Sequence, residues 1–374
     1  MSAEGAPVRW VIAGGGTGGH VTMALALGEE VARRGDALLF VGSERGLEAK
    51  LVPAAGFELV KLPVRPLAGQ GPVARAAALA AFAGATARAL GLLRRRRVAV
   101  VVSVGGYAAA PAAAAAVALR VPLAVVEPNA VPGRTNRWMA RFAGRVFTAF
   151  AAAAPAFERI AGAERVETAG APLRRALVDA FAAAAPRRLP APPFRLLVVG
   201  GSQGARQLND ALVEALAGPG FGALEVFHQT GAADRERVAR AYAQAGVPAQ
   251  VVDFEPDLPA RYRWADVALC RAGALTVAEL ALAGLPALLV PYPYAADDHQ
   301  RANARALAEA GAARVLDPAE FGAKLLLEAL GALLERPEAL VEMGRRARGL
   351  ARPDAAQRVV SACRGMAHEE ASSA

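Results

Sequence analysis

The chain has 374 residues, more than a single domain usually holds, and the 55% of them that are hydrophobic exclude a disordered chain. Two cysteines exclude a disulfide framework, and the N-terminus lacks the basic and then apolar pattern of a signal peptide, which favours a cytoplasmic protein. The net charge of +9 is uneven, because residues 59–157 hold thirteen basic residues and one acidic residue; this favours either an anionic partner or a solvated arginine-rich surface there.

Short apolar runs alternate with alanine-rich segments along the chain. Because these runs do not alternate strictly between apolar and polar residues, they are typical of parallel strands that helices cover on both faces. Prolines cluster between Pro172 and Pro193 and predict a boundary between two α/β lobes. The predicted strands are residues 8–13, 37–41, 98–104, 122–126 and 145–148 before this boundary, and 195–199, 224–229, 249–254, 267–270 and 287–291 after it.

The first predicted strand leads through a glycine-rich turn into a helix. Gly14, Gly16 and Gly19 fit the pattern G-x-G-x-x-G, which indicates either a dinucleotide site or a tight strand-to-helix turn. His20 follows this turn, and an imidazole titrates near neutral pH and can accept a proton from a hydroxyl group. We therefore predict that His20 is a general base, with a structural histidine as the alternative.

Two segments of the N-terminal half, residues 67–97 and 134–145, mix apolar side chains with arginines. Apolar groups among cations suit the headgroup zone of an anionic membrane, and packing of the apolar stripe into a core is the alternative. Nucleic acid is not an expected partner, because only 6% of the residues are aromatic and no recognition motif is present. The residues predicted to meet the membrane or an acceptor are Leu79, Phe82, Arg94, Arg95, Arg96, Arg97, Tyr107, Arg137 and Arg141.

The second half repeats the strand, glycine turn and helix. Ser202 lies among the glycines of this turn, so its hydroxyl and the backbone N–H groups could share a diphosphate. Glu279 lies in the first turns of a later helix, where it could accept hydrogen bonds from two ribose hydroxyls or could be a simple N-terminal helix charge. Residues 297–303 are polar but have no accompanying His or Cys cluster, and the chain has no Asp-x-Asp triplet, so no metal site is predicted.

Together these motifs resemble the MurG family of bacterial N-acetylglucosaminyltransferases. The resemblance runs from about residue 8 to residue 313, and six motifs in the family's order are highly specific, although each alone is ordinary. The motifs are GGGTGGH at residues 14–20, SVGGY at 103–107, EPNAVPG at 127–133, GGSQGA at 200–205, RAGALTVAE at 271–279, and DHQ with NA at 298–300 and 303–304.

The resemblance implies a GT-B architecture, in which two Rossmann-like lobes with parallel sheets face a central cleft. It implies an acceptor- and membrane-associating lobe of residues 1–172 with 352–370, a linker at 173–193, and a UDP-GlcNAc-binding lobe at 194–351. The implied enzyme is an inverting, metal-independent hexosyltransferase without a cofactor. It would move GlcNAc from UDP-GlcNAc to the C4 hydroxyl of undecaprenyl-diphospho-muramoyl-pentapeptide (lipid I) and so form lipid II for peptidoglycan synthesis, as a peripheral protein on the cytoplasmic face of the inner membrane.

The resemblance also implies residue roles. His20 and Glu279 would be the catalytic residues, with Glu279 on the ribose, and Arg174 and Ser202 would meet the donor phosphates. Glu255 would contact uracil through its backbone. The implied UDP-GlcNAc site comprises Thr17, Gly18, Gly19, Asn129, Arg174, Ser202, Glu255, Arg271, Ala274, Leu275, Thr276, Glu279 and Gln300.

Three positions, Pro128, Ala171 and Arg301, depart from the residues usual in that family. The departure at Ala171 affects a predicted site residue, because it bears on how Arg174 is positioned. A UDP-GlcNAc 2-epimerase of the same two-lobed fold is the main alternative function, and a non-catalytic lipid- or nucleotide-binding subunit is another. A nicotinamide-dependent dehydrogenase would leave the second glycine turn and His20 unexplained.

Overall fold

The computed structural model describes residues 7–44, 46–64, 72–183, 187–201, 205–216 and 223–373. The chain divides into two compact units, Met1–Arg175 with Arg352–Ala374, and Ala176–Ala351. Each unit has one parallel sheet whose strands are connected by helices, which confirms the predicted α/β class.

The first unit is built on a seven-stranded sheet. Its elements are β1 (Arg9–Ala13), α1 (Gly18–Arg33), β2 (Ala37–Ser43), α2 (Glu48–Ala54), β3 (Leu59–Leu62), α3 (Pro72–Arg96), β4 (Val100–Ser103), α4 (Ala110–Ala118), β5 (Leu123–Glu127), α5 (Arg134–Met139), β6 (Arg145–Thr148), α6 (Ala154–Ala161) and β7 (Val166–Thr168). The strand order is β3-β2-β1-β4-β5-β6-β7.

The second unit is built on a six-stranded sheet, and the chain then returns to the first unit. Its elements are α7 (Arg175–Ala182), β8 (Phe194–Val199), α8 (Arg206–Ala215), β9 (Leu224–Gln229), α9 (Arg235–Ala245), β10 (Ala249–Val252), α10 (Leu258–Trp264), β11 (Val267–Cys270), α11 (Ala274–Ala283), β12 (Ala287–Leu289), α12 (His299–Glu309), β13 (Ala313–Val315), α13 (Ala323–Leu334) and α14 (Pro337–Gly349). The strand order is β10-β9-β8-β11-β12-β13, and α15 (Ala355–Ser373) belongs to the first unit.

The strand order of each sheet determines where its functional loops meet. Strand β1 lies between β2 and β4, because Trp10 of β1 pairs with Leu38 on one side and with Val100 on the other. The chain therefore adds β2 and β3 on one side of β1 and then crosses to the other side at β4. In the second unit β8 is flanked in the same way by β9 and β11. Such reversals open a crevice at the carboxyl ends of the two central strands, which is where parallel sheets bind ligands.

The apolar stripe of helix α3, which the sequence predicts to be one face, is buried along one part of the helix and exposed along the other. Ala85, Ala89 and Leu93 are buried in the core of the first unit, whereas Leu79 is 57% exposed and Phe82 is half-buried. Among the described residues, Ala76–Arg96 is the helical segment whose length and apolar composition would suffice to cross a membrane. The C-terminal part of the stripe is therefore core, and its N-terminal part is surface.

The segment predicted as a linker contains helix α7 and an arginine anchored to the second unit. Arg187 donates to the carbonyl oxygens of Gly284, Ala265 and Tyr262, each at 2.6 Å. Burial lowers the pKa of this guanidinium to about 10, so it still carries its charge near neutral pH. Residues 184–186 of the predicted linker lie outside the described residues.

Helix α15 completes the first unit. It packs against α1 and against β4 and β6. Arg34 of α1 donates to the hydroxyl of Ser361 at 2.8 Å, and Arg364 lies 3.5 Å from the buried carboxylate of Asp36. The last part of the chain is thus bound to the first helix and to the middle of the sheet.

Candidate active site

The first glycine turn presents His20 in the first turn of α1. Thr17 is the N-cap residue of this helix, with the extended dihedral angles (φ −118°, ψ 154°) that an N-cap requires. Its hydroxyl oxygen lies 2.6 Å from Nδ1 of His20, and the imidazole is half-buried. The hydrogen bond at Nδ1 fixes the ring, so Nε2 is the nitrogen directed to other partners.

A pair of glycines after β4 packs directly on the first glycine turn. Gly105 and Gly106 have φ values of +93° and +80°, which only glycine adopts readily. A Cβ atom on Gly106 would lie 2.4 Å from the carbonyl oxygen of Gly15. The ring of Tyr107 lies beside Gly16, within 3.5 Å of where a Cβ would be. The predicted acceptor residue Tyr107 is therefore next to the turn that leads to His20.

The loop after β5 is organised by the buried carboxylate of Glu127. Its two oxygens accept hydrogen bonds from the backbone N–H groups of Asn129 and Gly133 and from the side-chain amide of Asn136, each at 2.9 Å. Burial raises the pKa of Glu127, and these hydrogen bonds oppose the rise. The predicted sugar-binding residue Asn129 is thereby held at the same sheet edge as His20.

Arg174 is paired with a glutamate of the first unit. Its Nε donates to Oε1 of Glu29 at 2.5 Å, and the backbone N–H of Arg175 donates to Oε2 at 2.9 Å. Glu29 engages the Nε donor of Arg174, and a phosphate, as predicted, would have to be met by the Nη groups of the same guanidinium.

The second unit has a cavity of about 950 Å³ at the carboxyl ends of β8 and β11. Gly200 and Gly201 line one part of it, whereas Ser202, predicted to meet the donor phosphates, lies outside the described residues. The other predicted residues that line this cavity are Arg271, Thr276 and Gln300. A smaller cavity of about 400 Å³ in the same unit, beside Arg187, contains none of the predicted residues.

Gln300 and Arg271 are fixed by backbone groups at the rim of the larger cavity. The amide oxygen of Gln300 accepts hydrogen bonds from the N–H groups of Ala272 (3.2 Å) and Tyr292 (2.9 Å). This leaves the amide nitrogen of Gln300 as the end suited to donate to a ligand. Arg271 donates from Nη1 to the carbonyl oxygens of Val290 and Pro291, both at 3.2 Å, so it also holds the end of β12.

Glu279 lies in α11 and receives a hydrogen bond from a buried tyrosine. The hydroxyl of Tyr262 donates to Oε2 of Glu279 at 2.7 Å. Burial raises the pKa of Glu279 to about 7, although the hydrogen bond from Tyr262 acts in the opposite direction. A carboxylate with one oxygen fixed in this way can accept hydrogen bonds from neighbouring hydroxyls. Ala274, Leu275 and Thr276, also predicted for the nucleotide, form the first turn of α11.

Glu255 is fixed at both its backbone and its side chain. Its N–H donates to Oε1 of Gln229 at 3.1 Å, and Nε2 of Gln229 donates to the carbonyl of Gly201 in the glycine turn. The carboxylate accepts from the N–H of Asp257 and pairs with Arg261 at 2.8 Å, so the side chain stabilises the start of α10.

The other predicted groups are on the surface of the first unit. Arg94 to Arg97 are all exposed, and Arg96 pairs with Glu58 at 2.5 Å. Arg137 and Arg141 are exposed beside Trp138 and Phe142, whose rings are 5.5 Å apart. Among the described residues, no group of three or more His, Cys, Asp or Glu side chains is placed to hold a metal ion.

Sequence reasoning assigned no role to Glu29, Glu127 or Tyr262. Each of these three residues makes a hydrogen bond with a residue that was predicted: Glu29 with Arg174, Glu127 with Asn129, and Tyr262 with Glu279. For Glu127 a signal was available, because it opens the motif that contains Asn129. Tyr262 and Glu29 lie outside the recognised motifs, so no local pattern pointed to them.

The chain is similar to known glycosyltransferases. The family models of the glycosyltransferase family 28 N-terminal and C-terminal domains match residues 10–148 and 195–359. A UDP-N-acetylglucosamine–N-acetylmuramyl-(pentapeptide) pyrophosphoryl-undecaprenol N-acetylglucosamine transferase of Anaeromyxobacter sp. is 44% identical over 362 residues, covering 95% of this chain and 93% of the relative.

Among solved structures, MurG of Acinetobacter baumannii has a TM-score of 0.79 and 32% identity, covering 96% of this chain and 100% of that one. UDP-GlcNAc 2-epimerase of Neisseria meningitidis, with UDP-GlcNAc bound, has a TM-score of 0.65 at 12% identity, covering 95% of this chain and 98% of that one. At this identity the likeness to the epimerase concerns the fold alone.

Proposed function

The chain belongs to the MurG family of UDP-N-acetylglucosamine–N-acetylmuramyl-(pentapeptide) pyrophosphoryl-undecaprenol N-acetylglucosamine transferases, and from this premise we propose how its residues carry the reaction. It has the GT-B fold and is an N-acetylglucosaminyltransferase of peptidoglycan synthesis, with UDP-GlcNAc and lipid I as substrates. The observation that carries this function is the identity to the Anaeromyxobacter transferase over nearly the whole chain.

In this proposal the second unit binds UDP-GlcNAc in its 950 Å³ cavity. Glu279 accepts hydrogen bonds from the ribose hydroxyls, and the amide nitrogen of Gln300 donates to a hydroxyl of the sugar. The diphosphate lies where the N-terminus of α11 and the N–H groups after β8 provide partial positive charge. These fixed dipoles stabilise the negative charge that develops on UDP as it leaves.

His20 acts as the general base on the acceptor. Nε2 takes the proton from the C4 hydroxyl of the muramoyl sugar while that oxygen attacks C1 of GlcNAc. The bond from C1 to the diphosphate breaks on the opposite face, so the configuration at C1 inverts and UDP leaves with the electron pair. Support for this role comes from the Thr17 hydroxyl, which holds Nδ1 at 2.6 Å.

The acceptor and the membrane are proposed to meet the basic first unit. Support comes from the exposed arginines at the end of α3 and in α5, and from the exposed Leu79. Cations beside apolar side chains attract anionic headgroups and place an apolar group at the lipid boundary. The protein would then act as a peripheral protein on the cytoplasmic face of the membrane.

The proposed function is tested by transfer of radiolabelled GlcNAc from UDP-GlcNAc to a short-chain lipid I analogue. We expect labelled disaccharide product from the wild type, in equal amount with and without a chelator. His20→Ala should keep its affinity for UDP and lose about 10²–10⁴-fold in kcat, the usual contribution of a general base. A wild type without product would contradict the function, and an active His20→Ala would contradict only the role of the histidine.

A further inference from the structure

The buried carboxylate of Glu48 lies beneath the first glycine turn. Glu48 is the first residue of α2 and is 1% exposed. Its Oε2 accepts a hydrogen bond from the N–H of Gly16 at 3.1 Å. Its Oε1 accepts from the N–H and the hydroxyl of Ser43, at 2.8 and 2.5 Å. The carboxylate therefore joins the end of β2 to the turn after β1.

Three glycines make the space that this carboxylate occupies. A Cβ atom would lie 2.2 Å from Oε1 if built on Gly15, and 2.1 Å from Oε2 if built on Gly46. On Gly42 it would lie 2.5 Å from Cγ of Glu48. No side chain fits at these positions while the carboxylate stays in place, so the surrounding backbone is shaped around Glu48.

The carboxylate also changes what the glycine turn can bind. The N–H of Gly16 would be a natural donor to a phosphate, but it already donates to a buried anion. A second anion at this N–H would be repelled by the carboxylate. The turn is therefore held as a rigid support, with Glu48 on one side and the close contact with Gly106 on the other.

The residue after Gly16 links this support to the proposed base. Thr17 occupies the N-cap position of α1, and its hydroxyl contacts Nδ1 of His20. A displacement of Gly16 therefore moves the group that orients the imidazole. We propose that Glu48 is a positioning residue for the transfer reaction, which fixes the turn at residues 14–17 and through Thr17 the ring of His20; this rests on the proposed function, in which His20 is the base.

Glu48→Gln tests the proposal at nearly constant volume. The carboxylate accepts hydrogen bonds at both oxygens, whereas the amide of Gln has only one oxygen. Its NH₂ group would face either the N–H of Gly16 or the N–H of Ser43, and that N–H would lose its acceptor. We expect kcat to fall about tenfold or more, because a small displacement of a catalytic group is costly. The affinity for UDP and the KM for UDP-GlcNAc should stay within about twofold. Glu44→Gln, at an exposed glutamate nearby, is the matched control and should keep full kcat.

Gly46→Ala tests the same contact without changing the carboxylate. The added methyl group overlaps Oε2 of Glu48 and should lower kcat, whereas Gly365→Ala, where a Cβ would meet nothing within 4 Å, should not. The double variant Glu48→Gln with Gly46→Ala should have a kcat no lower than that of the less active single variant, because both substitutions disturb the same contact.

A readout without substrate completes the test. The chain has four histidines, so the imidazole signals of ¹⁵N-labelled protein can be resolved by NMR and that of His20 assigned by its loss in His20→Ala. We expect the His20 signal to shift or broaden in Glu48→Gln, with the other three unchanged. An unchanged His20 signal with wild-type kcat would overturn the inference. So would a fall in UDP affinity and Tm in proportion to kcat, which would show general destabilisation. A wild type without transfer would instead contradict the proposed function.

Discussion

The contact between Thr17 and His20 involves the ring nitrogen that has to carry the proton if His20 is the base. A neutral imidazole carries one proton, so Nε2 can accept a proton only in the tautomer with the hydrogen on Nδ1, and in that tautomer Nδ1–H donates to the Thr17 hydroxyl oxygen. The 2.6 Å distance allows this bond. Thr17 thus has a proposed role in the acid–base chemistry in addition to its predicted place near the donor.

Replacing Thr17 tests this arrangement directly. Thr17→Val keeps the shape of the side chain but removes the acceptor for Nδ1–H, so the ring can turn and the wrong tautomer is populated. We expect kcat to fall about 10-fold to 100-fold, within the range attributed to general-base catalysis. Thr17→Ser retains the hydroxyl and should stay within about threefold of wild type. Steady-state kinetics with both substrates saturating measures the difference, and equal kcat for the Val and Ser variants would contradict it.

Glu279 couples donor binding to pH. Burial raises its pKa to about 7, so the carboxylate that accepts ribose hydroxyls is mostly ionised at pH 8 and mostly protonated at pH 6. We expect the affinity for UDP-GlcNAc to fall by up to about tenfold between these values, the change in the ionised fraction. Calorimetric titration measures it, with Glu279→Gln as the control that should show no such dependence. An equal pH dependence in both proteins would contradict the assignment.

The same raised pKa has an opposite consequence for stability. A carboxyl group whose pKa is higher in the folded chain than its unfolded value of 4.5 favours folding while it is protonated; this contribution is complete below pH 4.5 and is lost as the pH rises from there through about 7. Glu279→Gln should therefore raise Tm at pH 8, by an amount equivalent to about 1–3 kcal/mol, and have little effect at pH 4, below the unfolded pKa. Thermal unfolding at the two pH values checks this, and an equal change at both would show a different cause.

At the scale of elements, the strands that the sequence failed to predict are at sheet edges. β3 and β7 form the two edges of the first sheet, and β13 forms one edge of the second. Their burial is incomplete, and none is a continuous apolar run: β3 contains Lys61, β7 contains Glu167 and β13 contains Arg314. Central strands such as β1 and β5 are buried on both faces, so their sequences carry the apolar signal that an edge strand does not need.

Helix α3 is the element on which the membrane prediction depends. Leu79→Ser with Phe82→Ser should weaken binding to anionic vesicles, because both side chains lie on the part of α3 that the core leaves exposed or half-buried. Replacing Arg94 to Arg97 by Gln should weaken it further at low salt, since each cation near an anionic surface contributes about 1 kcal/mol. Vesicle co-sedimentation measures both effects.

The matched control for α3 is in the other unit. Leu189→Ser changes a leucine of the same 57% exposure as Leu79 but should leave vesicle binding unchanged. UDP affinity should be equal in all of these proteins. If the α3 variants bind vesicles as well as the wild type does, the membrane prediction is contradicted and the apolar stripe of α3 has a structural role only.

At the scale of the molecule, the sequence predicted the architecture and proposed residues for both candidate sites, but it did not predict the contacts that hold those residues in place. The two glycine turns and their strands were recognisable because each is a contiguous pattern. The contacts of Glu48 with Gly16 and of Tyr262 with Glu279 join residues 32 and 17 positions apart, so only folding brings them together. Such supports carry no local pattern of their own.

The fold is shared with UDP-GlcNAc 2-epimerases, so the reaction itself has to separate the two functions. A transferase needs the hydroxyl of an acceptor, whereas an epimerase acts on UDP-GlcNAc alone. Incubating the whole chain with UDP-GlcNAc and no acceptor should therefore yield no UDP-ManNAc, as measured by chromatography of the nucleotide sugars. Conversion in the absence of acceptor would support the epimerase.

The return of α15 to the first unit also affects how the protein is made. The second unit is contained within an insertion, since the first unit begins at the N-terminus and is completed only by residues 352–374. Domains fold as units while they emerge during synthesis. On the ribosome, residues 176–351 are therefore complete while the sheet that was translated first still lacks its last helix. Translation that stops before residue 352 would leave α1 and the middle of that sheet uncovered, an exposed apolar surface open to chaperones.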